Sequence, residues 1–124
     1  MSIQSIHHVQ LAFPAGAEES IRRFYARLLG LPEVRLKADG TLRFAAGKQR
    51  IDLVPTEHGQ PAPVVSHVAL EVQGLPALRH RLLQAELALE EHRALPGYLR
   101  FYVRDPAGNQ LEFLEPDYEQ EPTV

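Results

Sequence analysis

The chain repeats itself at about half its length, and this repeat constrains the fold more than any other feature. His8-Val9-Gln10-Leu11 returns as His67-Val68-Ala69-Leu70, and Leu42-Arg43-Phe44 returns as Leu99-Arg100-Phe101. Two copies are too few for a solenoid, which needs at least three repeats to bury its core. The repeat therefore predicts one domain that is built from two similar modules.

Composition excludes several classes of function. The 124 residues carry a net charge of -3 and contain no cysteine, which rules out disulfides and thiolate chemistry. No run of basic residues suits a nucleic acid, and no apolar run approaches the ~20 residues of a membrane span. The first residues also lack the pattern of a signal peptide. We therefore expect a cytoplasmic protein that binds neither nucleic acid nor membrane.

Hydrophobic periodicity predicts the elements of the first module. Alternation over residues 5–13 predicts a strand whose core face carries the apolar residues at odd positions. A stripe that runs from Ile21 to Leu29 predicts an amphipathic helix, and Gly30 is a natural residue to end it. Short strands are expected at about 33–37, 41–46 and 49–55, with a hairpin turn at Asp39-Gly40.

The second module repeats this order after Pro61-Ala62-Pro63, which we interpret as a hinge. A strand over 64–72 is followed by a helix that Gly74 and Pro76 open. Three more strands are expected at about 88–94, 98–104 and 110–115, the last after a turn over 105–109.

The sequence thus predicts an α+β fold in which two βαβββ modules form a curved mixed sheet around a cleft, with the helices outside. The modules cover about residues 3–60 and 64–116 of a single domain, 1–124, which ends in an acidic tail, 117–124.

Strand parity places four potential metal ligands on one face. His8, His67, Asp52 and Glu112 each alternate with apolar neighbours, so all four should point away from the helices and into the predicted cleft. Two imidazoles with one or two carboxylates are typical of catalytic metal sites. Asp52 has one methylene fewer than Glu112, so ligation and a supporting role outside the ligand shell both remain open for it. His7 has the opposite parity to His8, which excludes it from the same ion.

Further residues with cleft parity are candidates for substrate binding. Arg100 and Tyr102 suit an anionic or oxygenated substrate beside the metal, although an outer rim with an inter-strand charge pair is an equal alternative. Gln10 shares the strand face of His8. Tyr98 follows Leu95-Pro96-Gly97, and it either lies on a flap over the cleft or covers the core.

These features resemble the vicinal oxygen chelate superfamily, which includes glyoxalase I, extradiol dioxygenases, epimerases, fosfomycin-modifying enzymes and metal-free bleomycin-binding proteins. The matching segments cover nearly the whole chain: Ile6-His7-His8-Val9-Gln10-Leu11, Phe24-Tyr25, Leu29-Gly30-Leu31, Ser66-His67-Val68-Ala69-Leu70 and residues 104–112. The resemblance implies paired βαβββ modules and a homodimer. It also implies His8, His67 and Glu112 as ligands, with Asp52 at the position of a fourth ligand that is often Glu.

The resemblance implies a divalent-metal-dependent enzyme that acts on a small oxygenated molecule as a lyase, isomerase or dioxygenase. An ion such as Zn, Ni, Co, Mn or Fe(II) would stabilise an enolate or oxyanion, and Glu112 would serve as ligand and base. The alternative is a metal-free protein that binds a small molecule, like the bleomycin resistance proteins. Because one fold hosts both functions, the resemblance does not choose between them.

Overall fold

The computed structural model describes residues 1–2, 4–34, 39–57 and 67–117, and these form parts of two compact units. Unit 1 comprises Met1–Ala62 with Pro106–Asn109, and unit 2 comprises Pro63–Asp105 with Gln110–Val124. Asn109 belongs to unit 1, where its side-chain amide donates to the Ala12 carbonyl at 2.9 Å. The predicted hinge at 61–63, most of the predicted strand at 33–37, the first residues of the strand at 64–72 and the tail from 118 onward lie outside the described residues.

Unit 1 contains a mixed sheet of three strands. β1 (His8–Pro14) runs parallel to β3 (Gln49–Thr56), which pairs on its other side with the antiparallel β2 (Leu42–Ala46). α1 (Glu18–Arg22) follows β1 in the chain and continues directly as a π-helix (Arg23–Leu28). Gly30 follows with φ +73°, a left-handed conformation that glycine adopts without steric cost, so the predicted helix end is confirmed.

The core of unit 1 lies between this helix and the sheet. Ile21, Phe24 and Tyr25 are fully buried on the predicted helical stripe, and Phe44 is fully buried on β2. The Tyr25 ring stacks on the Phe44 ring with centroids 5.3 Å apart. The apolar stripe thus determines which side of the sheet the helix covers, and the polar side chains of the strands take the other side.

The described part of unit 2 forms a four-stranded sheet in the order β4-β7-β6-β5. β4 (His67–Glu71) is parallel to β7 (Gln110–Pro116), and β6 (Tyr98–Arg104) and the short β5 (Leu89–Glu90) follow as antiparallel neighbours.

One helix, α2 (Leu75–Gln84), connects β4 to β5, and it begins after Gly74 with Pro76 in its first turn. Gly74 offers no side chain to cap this helix. The Glu115 carboxylate caps it instead, because it accepts the N–H groups of Gly74 and Leu75 at 2.6 and 3.2 Å.

The pairing registers of the two units match. Gln10 and Arg43 pair with Asp52 in unit 1, and Ala69 and Tyr102 pair with Glu112 in unit 2. The repeat of His8 at His67 therefore holds in the strand registers, which also give Asp52 and Glu112 equivalent positions.

The overlay of Leu42-Arg43-Phe44 on Leu99-Arg100-Phe101 is wrong by two residues, because Arg43 corresponds to Tyr102. A shift of two residues preserves pleat parity, so the hydrophobic pattern does not detect it.

The edge strands differ most from the prediction. β5 covers two residues where we expected 88–94, since Glu91-His92-Arg93-Ala94 carries no apolar alternation that would hold it on a core. In unit 1 the described residues at the equivalent position include an isolated bridge between Glu33 and Phe44. The described elements confirm an α+β fold with two modules whose sheets are not closed. None of the described helices has the length and apolar character that a bilayer crossing requires.

Candidate functional site

The side of the unit 2 sheet that faces away from α2 carries a cluster around Glu112. Pairing of β4 with β7 brings His67 beside this carboxylate, with Nε2 3.0 Å from Glu112 Oε1. The opposite neighbour, β6, contributes Arg100, whose Nη1 lies 3.6 Å from Glu112 Oε2. Tyr102, the direct register partner of Glu112, donates its hydroxyl to the same carboxylate. Three side chains from two strands therefore surround one buried carboxylate.

Burial determines the electrostatics of this cluster. Glu112 is only 6% exposed and Tyr102 only 8%. Burial, followed by the hydrogen bond to Glu112 and the negative charge of that residue, raises the pKa of Tyr102, while the Arg100 charge opposes this shift. Tyr102 therefore remains protonated at neutral pH and acts as a hydrogen-bond donor. The guanidinium carbon of Arg100 lies 5.7 Å from the centroid of the Tyr102 ring, so the arginine contacts both partners.

In unit 1, Asp52 has the register position of Glu112 but different partners. Arg50 Nε and Nη2 donate to the two Asp52 oxygens at 2.6 and 3.0 Å, and Arg43 Nε lies 3.9 Å away. Burial raises the pKa of Asp52, but the Arg50 hydrogen bonds and the charges of Arg50, Arg43 and His8 outweigh this, so the pKa lies below its ordinary value. Both carboxylate oxygens of Asp52 thus already accept hydrogen bonds from a guanidinium group.

The remaining predicted site residues are more exposed. His8 and Gln10 lie on β1, on the side of the sheet that faces away from the helix. His7 lies just before the strand, and its Nδ1 is 2.9 Å from Nδ1 of His8. Tyr98 is exposed at the start of β6 and lines a cavity together with Leu75 and Arg79 of α2. Within the described part of either unit, no three His, Asp or Glu side chains group closely enough to hold a metal ion.

Described residues of unit 2 line two cavities of similar size. The first, which we call the His67 cavity, has a volume of about 390 Å³ and includes in its wall two partners of Glu112, His67 and Tyr102. The rest of its wall is formed by Glu90, His92, Arg104 and Gln110. The second, the Leu75 cavity, has about 380 Å³, and its walls include Leu75, Leu95, Leu99, Phe101, His92 and Arg100. Both volumes fall in the range of small-molecule sites.

Sequence reasoning missed the roles of Arg50 and His92. Arg50 lies two residues from Asp52 on the same strand, so pleat parity already placed both on one face. His92 lies beyond β5 and packs edge-on against Tyr102 with centroids 4.4 Å apart. No periodic pattern marks a residue in such a segment, so only the structure identifies it.

The Asp52 ion pair predicts a specific pH dependence of stability. A carboxyl group whose pKa is lower in the folded chain stabilises the fold above its unfolded pKa, and that stabilisation is lost as the pH falls through the folded pKa. Asp52→Asn should therefore be less stable than wild type at pH 7, and the difference should shrink below the ordinary value of 3.8. Urea unfolding midpoints of both proteins between pH 7 and pH 3 measure this difference in stability. Glu57→Gln, which changes an exposed carboxylate, is the control, and an equal difference at pH 3 and pH 7 would contradict the prediction.

Comparison with known proteins gives the same fold repeatedly. No protein-family model and no curated protein sequence matches the chain. Among solved structures, a lactoylglutathione lyase from Agrobacterium tumefaciens is 24% identical with a TM-score of 0.74, over 93% of this chain and 96% of its own. An antibiotic binding protein from Streptomyces sp. is 20% identical with a TM-score of 0.73, over 94% and 99% of the two chains. These two similarities establish the fold alone.

A third solved structure is similar enough in sequence to establish the family. A glyoxalase family protein from Bacillus anthracis is 33% identical to this chain, with a TM-score of 0.87. The match covers 94% of this chain and 98% of that one, so it includes both modules. The chain therefore belongs to the glyoxalase family, within the vicinal oxygen chelate superfamily.

Proposed function

We propose that this chain is a divalent-metal-dependent enzyme that acts on a small oxygenated substrate. Its ligands would be His67 and Glu112, together with His8, which the sequence repeat and the matched strand registers add to the set. Zn, Ni, Co, Mn and Fe(II) all suit imidazole and carboxylate ligands. The reaction would be that of a lyase, isomerase or dioxygenase.

The observation that carries this proposal is the pairing of His67 with Glu112. Their nearest nitrogen and oxygen atoms lie 3.0 Å apart. Two ligands of one ion, each at a bond length of about 2.1 Å, are separated by about 3.0 Å at the right angle of an octahedral site and by about 3.4 Å in a tetrahedral site. The donor chemistry and the spacing of this pair therefore fit a divalent ion.

The Asp52 carboxylate fits a metal ion less well than the Glu112 carboxylate does. Both Asp52 oxygens accept hydrogen bonds from Arg50, so ligation would require that ion pair to open. We therefore propose a supporting role for Asp52, as one of the two alternatives that its shorter side chain left open. A set of two imidazoles and one carboxylate leaves positions for substrate oxygens.

Glu112, Tyr102 and Arg100 would each have a separate role in the reaction. When bound, the ion supplies Lewis-acid stabilisation of negative charge on a substrate oxygen. Arg100 lies next to Glu112 Oε2, which leaves Oε1 directed at His67. Glu112 would accept a proton from the substrate, and Tyr102 would hold the carboxylate through its hydrogen bond. Tyr102, which lines the His67 cavity, and Arg100, which lines the Leu75 cavity, would also contact the substrate.

A metal-free binding protein is the second candidate, and the guanidinium partners of the two carboxylates favour it. Arg50 neutralises Asp52, and Arg100 lies beside Glu112, so neither charge requires a metal ion. An antibiotic binding protein also shares this fold. In this alternative the His67 cavity would hold a small molecule without catalysis.

A metal titration by calorimetry on chelator-treated protein distinguishes the enzyme from the metal-free binding protein. If the enzyme proposal is correct, wild type binds one of the five ions at about one equivalent per chain. We expect His8→Ala to weaken binding at least tenfold and His7→Ala to weaken it clearly less, because His7 has the opposite parity and reaches the proposed site only through the contact of its ring with His8. His7 provides the matched control, since it is a neighbouring residue of the same type. Saturable binding of none of the five ions would support the metal-free candidate.

A further inference from the structure

The Leu75 cavity contains large apolar side chains that are exposed to solvent. Leu99 is 43% exposed and Tyr98 is 40% exposed, and both lie at the start of β6. The buried side chains of Leu75 and Phe101 contribute to the same wall. Because contact with water is unfavourable for apolar surface, a ligand that covered Leu99 and Tyr98 would be stabilised by their burial. The volume of about 380 Å³ suits a molecule of one or two aromatic rings.

The charged side chains of this wall are not balanced. Arg79 and Glu91 form an ion pair, so their charges neutralise each other. The described wall also contains Arg93 and Arg100 but no second carboxylate, since Glu112, which lies beside Arg100, does not line the cavity. The wall therefore carries an excess of positive charge, which an anionic ligand would complement.

Arg93 supplies the hydrogen-bond donors that are still free. Its side chain is exposed, and within the described part of the chain it has neither a hydrogen bond nor an ion pair. Arg100 donates a hydrogen bond to the Arg93 carbonyl, which places the two arginines side by side, and Arg100 Nε is buried without an acceptor among the described residues. The Arg93 guanidinium can thus bind a carboxylate through two parallel N–H groups and lose no existing contact.

We propose that the Leu75 cavity binds a small aromatic carboxylate. The aromatic part covers Leu99 and the exposed ring of Tyr98, where a flat ring makes a large contact, and the carboxylate pairs with Arg93. The cavity wall contains none of the proposed metal ligands. This binding site therefore goes beyond the proposed function and does not depend on it.

A pair of probes of equal shape tests this proposal, naphthalene-2-carboxylate and the neutral naphthalene-2-carboxamide. The chain contains no tryptophan, so fluorescence anisotropy of the probes follows their binding with little background from the protein. The protein is treated with a chelator first, because a bound metal ion would itself attract the carboxylate. Dissociation constants of both probes are then measured for wild type and for each variant.

Two variants locate the ligand in the cavity. Arg93→Gln should weaken the carboxylate at least about threefold and leave the carboxamide within twofold, because only the carboxylate pairs with the lost charge. Leu99→Glu should weaken both probes at least about tenfold, since a charged side chain replaces the apolar surface that the rings cover. Arg23→Gln and Leu83→Glu make the same changes at exposed positions outside the cavity wall, and both constants should stay within twofold of wild type.

The possible results lead to different conclusions. The proposal is overturned if wild type binds neither probe saturably, or if folded Leu99→Glu binds both within twofold of wild type. Arg93→Gln overturns it if the carboxylate constant stays within twofold or if both probes are weakened equally, and this variant decides alone if Leu99→Glu does not fold. If the metal titration fails while the expected shifts appear, the enzyme function is removed and this binding site remains.

Discussion

Glu112→Ala is expected to lower the affinity of the protein for its divalent ion by more than about 100-fold. Loss of a residue that only hydrogen-bonds to a metal ligand already lowers metal affinity by about 10–100-fold, and loss of the ligand itself should lower it further. The carboxylate offsets part of the ion's charge, and the two neutral imidazoles of the proposed ligand set do not. Glu112→Gln should fall between wild type and alanine, because the amide keeps an oxygen but no charge. Calorimetric titration with the ion that wild type binds best measures these differences, and His67→Ala should also bind more weakly.

The control must remove a carboxylate from the same sheet without removing a proposed ligand. Glu71→Gln does so, because Glu71 is exposed on β4, where it has the same parity as His67. Its metal affinity should equal that of wild type. Loss of Glu112 also leaves Arg100 and Tyr102 without their buried partner, so circular dichroism must confirm that each variant is folded. Unchanged affinity in folded Glu112→Ala would remove Glu112 from the ligand set.

Phe44→Ala is expected to lower the free energy of unfolding by about 3–5 kcal/mol. Phe44 is fully buried, stacks on Tyr25 and lies on β2, so its removal leaves a cavity between the helix and the sheet of unit 1. Such a loss is large against a total stability of about 5–15 kcal/mol. Urea unfolding followed by far-UV circular dichroism measures it.

A matched variant separates the volume of the ring from the presence of an apolar group. Phe44→Leu keeps an apolar side chain and should cost less than half as much as alanine, although it still loses the stacking on Tyr25. A loss below about 1 kcal/mol in Phe44→Ala would show that the helix does not depend on this contact.

Much of the fold followed from local patterns. Alternation along the strands determines which side chains share a face, and it placed Asp52 and Glu112 opposite the apolar residues beside them. The helical stripe from Ile21 predicted the buried residues Phe24 and Tyr25. These features depend on the period of the backbone and on the preference of apolar side chains for a core, so the sequence by itself determined them.

The partners of the two carboxylates depended on tertiary structure. Parity gave Asp52 and Glu112 the same face, yet Arg50 holds the first while His67, Arg100 and Tyr102 surround the second. Which residues meet across strands is set by the pairing register, and a shift of two residues leaves the hydrophobic pattern intact.

The position of His92 depended on tertiary structure for a second reason. Its segment has neither strand nor helix periodicity, so the ring is positioned by tertiary contacts such as those with Tyr102 and Glu90. The sequence therefore determined the faces of the elements, and the long-range pairing of strands decided which side chains on those faces form a site.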